Sequence, residues 1–185
     1  MTAAARVARA RRSGPAAVPS NVLAAGRAVL GSALLLLASL NGTALQAGEV
    51  VDATGARVSI ATKPLRIVTL APSLGELVAD VLGGKLERLV GVSEYTDYPP
   101  GIEKISSVGS YARFNVEKVV SLKPDLVLAT RDGNLKDQVL RLRELKLPVV
   151  VVDTGNFAQV ASSMKLVAEA MGSPEAGAAM AARFE

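Results

Sequence analysis

Arg66-Ile67-Val68-Thr69-Leu70-Ala71-Pro72-Ser73-Leu74-Gly75-Glu76 is the stretch whose reading decides the fold. Residues 67–71 form a short, nearly continuous apolar run, the pattern of a strand buried on both faces of a parallel sheet. Pro72 lacks an N–H donor and ends the strand. Ser73 followed by Glu76 reads as a capping box opening a helix, and Leu77, Val78, Val81 and Leu82 give that helix an apolar face. A strand that feeds a helix at the carboxyl edge of a sheet leaves a polar crevice, where open α/β folds bind ligands. The same residues also suit an ordinary βα turn, so the rest of the chain has to decide.

Upstream, residues 50–60 read as a hairpin around Thr54-Gly55. Downstream, Gly83-Gly84 closes the first helix, since glycine readily takes the left-handed C′ conformation. Residues 89–92 form a second buried strand. Asn115 caps a short helix, 116–122, stopped by Lys123-Pro124. A third strand covers 125–130, and Asn134 is read as the cap of a helix whose apolar face is Leu135, Val139, Leu142 and Leu145. Pro148 precedes a strand at 149–152, and Asp153 to Asn156 lead into a helix at about 158–171, ended by Gly172. Ser173-Pro174-Glu175 carries the N-cap, N1 proline and first-turn acid of one more helix, which meets no stop signal by Glu185. This alternation predicts an α/β fold, a parallel sheet flanked by helices in a Rossmann-like three-layer lobe.

The net charge of +4 is unevenly placed. Five of the 21 basic residues (Arg6, Arg9, Arg11, Arg12 and Arg27) lie in 1–47, which holds no Asp or Glu, leaving 16 basic against 17 acidic residues elsewhere. That balance removes the main support for a nucleic-acid partner. Residues 1–47 read as a secretory signal peptide. They have an Arg-rich start, an apolar run from Val29 to Leu40 that is short for a membrane span, then small residues, with cleavage after Ala47 or Ala44. An uncleaved amino-terminal anchor is the other reading. The chain has no Cys and no His, the usual ligands of zinc, copper and haem, and its carboxylates form no clustered motif, so neither a metal site nor a cofactor is expected.

Polar residues gather at the predicted strand ends, at Pro72-Ser73, 94–100, 130–134 and 153–156, which share one edge in a doubly wound sheet. Tyr95 and Tyr98 lie in one of these loops and Tyr111 in the next. A tyrosine pairs an apolar face with a polar tip and suits an organic ligand or an interface, although core packing under loops would also use it. Catalysis is poorly supported, because there is no His base, Cys nucleophile, Gly-x-Ser-x-Gly elbow or phosphate-binding loop. Asp97 and Asp132 could serve a small exported hydrolase as a carboxylate pair, but Asp in such turns is usually structural. The expectation is a binding protein with no catalytic residues.

Four segments carry a resemblance. They are Arg66-Ile-Val-Thr-Leu-Ala-Pro-Ser with Glu76, Leu89-Val-Gly-Val, Tyr95-Thr-Asp-Tyr-Pro-Pro, and the run from Asn115 through Val-Glu-Lys-Val-Val-Ser-Leu-Lys-Pro-Asp-Leu-Val-Leu to Ala129. In this order and spacing the chain resembles the substrate-binding proteins of bacterial ABC importers whose two lobes are joined by one long helix. The tyrosine loop, with Arg131, Gly133 and Asn134, is most similar to the cobalamin-binding branch. The resemblance implies a periplasmic protein that captures a cobalamin-like chelate and delivers it to a membrane permease, with an iron-siderophore or haem receptor as the alternative. It implies ligand stacking by Tyr95 and Tyr111, hydrogen bonds from Ser73, Thr130 and Arg131, and docking of Glu117 onto permease arginines. The position matching Thr130 can be a tryptophan in that branch, and here it is not. By the same resemblance, 48–172 would be an amino-terminal lobe and 173–185 the start of the interlobe helix, with the second lobe absent. Residues 48–185 would then bind their ligand weakly or not at all.

Overall fold

Val50 and Val58 face each other in an antiparallel hairpin of β1 (Ala47–Val51) and β2 (Arg57–Ala61). The computed structural model describes residues 47–184; nearly all of the segment read as an export signal lies outside the described residues. The hairpin turn is built on Asp52, whose carboxylate accepts from the Thr54 N–H (2.8 Å), the Thr54 hydroxyl (2.6 Å) and the Ala56 N–H (3.1 Å). Gly55, at φ +81°, completes the turn in the left-handed region, as its place after Thr54 predicts. The other carboxylate oxygen of Asp52 pairs with Arg143 and accepts from the Val151 N–H at 3.1 Å. Ala53 then donates to the Val151 carbonyl at 2.9 Å.

β3 (Ile67–Thr69), β4 (Leu89–Gly91), β5 (Leu126–Thr130) and β6 (Val149–Val152) form one parallel sheet in the order β4-β3-β5-β6. β3 is shorter than its apolar run, but Leu70 extends the ladder by donating to the Leu128 carbonyl at 2.9 Å. The helices among the described residues are α1 (Pro72–Val81), α2 (Val116–Ser121), α3 (Lys136–Glu144), α4 (Phe157–Ala170) and α5 (Pro174–Phe184). Successive strand residues point to opposite faces. Ile67, Leu126, Leu128, Val150 and Val152 pack with the hairpin, Leu74 and Val78 of α1, and Val167 and Ala170 of α4. Val68, Val127, Ala129, Val149 and Val151 pack with Val119 of α2 and Val139 and Leu142 of α3. The result is the expected three layers with aliphatic cores, in which each fully buried Leu, Ile or Val contributes roughly 1.5–3 kcal/mol.

α5 folds back on α4. Gly172 makes the corner at φ +73°, and a Cβ there would lie 2.3 Å from the Thr62 carbonyl oxygen. Gly177 lets the two helices approach, since its Cβ would meet that of Ala168 at 2.6 Å.

Two helix starts differ from expectation. Ser73 and Glu76 form no capping box: α1 begins at Pro72, Ala71 is its N-cap, and no side chain caps it. Proline at N1 has its φ preset for a helix and no N–H to satisfy, so the helix starts two residues early and Ser73 lies inside it. Asn134 does not cap α3, whose N-cap is Leu135 without a side-chain bond; its carboxamide is committed elsewhere, as described below. Val139 and Leu142 are buried on α3 as expected, but Leu135 and Leu145 are exposed. Asn115 and Asn156 do cap, accepting from the N–H groups of Lys118 and Gln159.

Candidate ligand-binding site

Because β3 to β6 run parallel, the connections that leave them emerge on one edge. β4 lies three strand spacings from β6, about 14 Å away. Tyr95 follows β4, Ser73 follows β3, Arg131 follows β5 and Asp153 follows β6. Residues 106–109 are drawn alongside β4: Val92 donates to the Ser106 carbonyl (3.0 Å), Val108 to the Val92 carbonyl (2.8 Å) and Glu94 to the Gly109 carbonyl (2.7 Å). That docking carries Tyr111 to the same edge.

Tyr95 is 79 % exposed and sits at φ +65°, a left-handed conformation that costs a bulky residue on the order of 1–3 kcal/mol and concentrates at functional sites. Thr96 holds it there. The Thr96 side chain is buried, its hydroxyl donates to the Ser93 carbonyl (2.8 Å), and the two hydroxyls lie 3.1 Å apart. Gly75 on α1 makes the room, because a Cβ there would sit 2.6 Å from Thr96 Cγ2. A glycine inside a helix, unfavourable by about 1 kcal/mol, is thus explained by the tyrosine turn above it.

Tyr111 is anchored in the same way from below. Its ring lies over Gly133, where a Cβ would fall 1.6 Å from the ring carbon Cζ. Asn134, buried beneath, accepts from the Thr130 N–H (2.7 Å) and donates to the carbonyls of Leu70 (2.8 Å) and Tyr111 (2.7 Å). One carboxamide therefore ties the ends of β3 and β5 to the tyrosine loop. An Asn directly after a glycine in a βα turn signals a cap or a tie, and only tertiary structure distinguishes them.

The structure brings Tyr95, Ser73, Tyr111 and Arg131 to one edge. Ser73 is exposed in the first turn of α1, and the exposed Arg131 bonds Asp153 (3.2 Å) and approaches the Ala53 carbonyl (3.5 Å). Thr130 differs: it is 3 % exposed, and its hydroxyl faces Asn134 Oδ1 at 3.4 Å, so it supports the edge from inside. Asp97 and Asp132 are both exposed, with Asp132 turned toward Gly155 and Asp153. Glu117 occupies a separate surface, exposed beside Val116, Val120, Arg141 and Leu145 in a groove between α2 and α3. Among the described residues no group of three His, Cys, Asp or Glu could hold a metal ion, and no helix is long and apolar enough to cross a membrane. This edge offers flat aromatic faces, hydroxyl and guanidinium donors, and one internally neutralised ion pair, which suits non-covalent capture of an organic ligand.

Comparison with known proteins follows the same lines. The model of a family described as periplasmic binding protein matches residues 67–185. The vitamin B12-binding protein of Salmonella typhi is 39 % identical over 112 residues, 60 % of this chain and 40 % of the relative. That of Pectobacterium carotovorum subsp. carotovorum (strain PC1) is 33 % identical over 122 residues, covering 66 % and 44 %. Among solved structures, the periplasmic vitamin B12 binding protein BtuF of Vibrio cholerae superposes with TM-score 0.59 at 32 % identity, covering 65 % of this chain and 47 % of that one. The periplasmic heme-binding protein RhuT from Roseiflexus sp. RS-1 in apo form gives 0.59 at 26 %, covering 64 % and 45 %. This chain thus spans less than half the length of these relatives, and they are named as binding proteins rather than enzymes.

Proposed function

Because the chain belongs to the periplasmic binding protein family, we propose that it is the exported ligand-capturing component of an ABC importer and that its ligand is a corrinoid-like chelate. In this reading residues 1–47 direct export to the periplasm, 48–172 form the lobe that supplies one wall of the cleft, and 173–185 begin the interlobe helix. Tyr95 and Tyr111 stack on the macrocycle, Ser73 and Arg131 hydrogen-bond its amide substituents, and Thr130 steadies the loop from beneath. Glu117 docks on arginines of the permease. No covalent step is involved. The observation that carries the reading is the exposed ring of Tyr95, held at positive φ by the buried Thr96 on a ledge cleared by Gly75. A flexible loop would lose ordering entropy on binding that this turn has already lost in folding.

A haem ligand is the second reading, favoured by the exposed phenol of Tyr95, since a tyrosine can ligate haem iron. Visible-absorbance titration with cyanocobalamin, haemin and ferrichrome separates the two. The corrinoid reading expects cyanocobalamin to bind most tightly and Tyr95→Ala to weaken it by about tenfold, the scale of one lost aromatic stacking contact. Haemin binding tighter than cyanocobalamin, with a charge-transfer band lost in Tyr95→Phe, would move the assignment to haem.

A further inference from the structure

Phe157 is 82 % exposed at the start of α4, directly after the loop that leaves β6. It therefore stands on the same edge as the tyrosines, at the opposite end of the strand order from Tyr95. The aromatic residues whose side chains are described divide sharply. Phe114 is buried, whereas Tyr95, Tyr98, Tyr111 and Phe157 are 79 %, 59 %, 40 % and 82 % exposed. Tyr95 and Tyr111 lie in connections at this one edge, and Phe157 begins the helix that follows β6 there. Exposed apolar surface gathered in one place marks a binding surface rather than scatter. Between Phe157 and Tyr111 in the strand order lies the Arg131–Asp153 pair (3.2 Å), with Gln159 also donating to Asp153 at 3.2 Å and the exposed Asp132 near Gly155, so the middle of the edge is polar.

We infer that Phe157 is a ligand-contact residue that closes the far side of this rim, and that the rim selects a planar macrocycle broad enough to reach from the β4 loop to the β6 loop. Those strands lie about 14 Å apart, a span that a bare metal ion or a compact hydroxamate chelate cannot bridge. This inference rests on the binding-protein reading and names a contact that reading does not use.

The test is visible-absorbance titration of the chain and its Phe157→Ala, Phe157→Tyr and Val51→Ala variants with cyanocobalamin, haemin and ferrichrome. Circular dichroism checks that each variant folds. Phe157→Ala is expected to weaken the preferred macrocycle about tenfold, as loss of one aromatic contact does. Phe157→Tyr keeps the ring and should hold affinity, and Val51→Ala, exposed on the hairpin, should change nothing. Cyanocobalamin binding that depends on Tyr95 but is unchanged in Phe157→Ala overturns the inference and leaves the corrinoid reading standing. Haemin preferred, with dependence on Phe157, upholds the inference and removes the corrinoid reading. Ferrichrome bound in preference to both macrocycles removes both.

Discussion

Asn134→Ala tests whether the candidate edge is held together by a single carboxamide. The wild-type side chain satisfies three backbone groups, the Thr130 N–H and the carbonyls of Leu70 and Tyr111, at 2.7–2.8 Å, and Asn134 is 6 % exposed. Each such bond contributes about 1 kcal/mol net, and each buried group left without a partner costs about 1–3 kcal/mol. Tyr111 is 40 % exposed, so water can reach its carbonyl and soften one of the three losses. The expected destabilisation is roughly 3 kcal/mol, a large part of the 5–15 kcal/mol typical of a domain. The melting temperature should fall by roughly 6–12 °C. Urea and thermal unfolding followed by far-ultraviolet circular dichroism measure both. Asn134→Asp sharpens the test: it keeps an acceptor for Thr130 but turns a carboxylate toward two carbonyls, so it should be at least as unstable at neutral pH and recover partly when protonated. A loss below about 1 kcal/mol for Asn134→Ala, or wild-type stability for Asn134→Asp, would refute the reasoning.

Three further outcomes follow from single contacts. Burial pushes the Asp52 carboxyl up, but hydrogen bonds from the Thr54 hydroxyl and from the N–H groups of Val151, Thr54 and Ala56 outweigh it and hold it below its ordinary value. An unfolded Asp titrates near 3.9, so the stabilisation is complete above about pH 4 and is lost as the pH falls through the lower folded value. Asp52→Asn should flatten the acid limb of a stability-against-pH curve and, by leaving Arg143 without its partner, lower neutral stability by about 2–4 kcal/mol; an unchanged limb counts against it. Gly75→Ala should destabilise by about 1–3 kcal/mol through its clash with Thr96 and weaken ligand binding by moving Tyr95; adding Thr96→Ser, which removes the clashing methyl, should restore both, and failure of that rescue rejects the ledge. Thr69 is fully buried and its hydroxyl lacks a hydrogen-bond partner, so Thr69→Val should be neutral or stabilising by up to about 1 kcal/mol in urea unfolding.

The sequence made the sheet legible because its strands are short, mostly aliphatic runs, with Pro72, Pro124 and Pro148 marking the limits of three of them, and burial on both faces leaves that composition little alternative. The hairpin, the cap at Asn115 and the Gly83-Gly84 stop were readable for local reasons. The capping box was not, because Pro72 and Ser73 both signal a helix start and proline at N1 wins. Asn134 was misread as a cap because its partners lie up to 64 residues away in the chain, and the burial of Thr130 against Asn134 follows from that tie. Phe157 went unread because it falls between the 153–156 loop and the helix read from about 158; it is the first residue of α4 and is exposed. The strained φ of Tyr95 leaves no trace in composition at all.

The hairpin's attachment to β6 has a consequence for solubility. β6 is four consecutive valines at the end of the strand order, with high β-propensity and no charge, the kind of segment that recruits further strands from other molecules. Three of its outward backbone groups are already taken: the Val151 N–H by Asp52, the Val151 carbonyl by Ala53, and the Val149 carbonyl by Arg143 at 3.1 Å. The turn and Arg143 thus act as gatekeepers, occupying template positions with groups that do not propagate a ladder. Losing the Asp52 charge opens that template, so the early sign of acid damage should be growth in light scattering that precedes loss of helical signal.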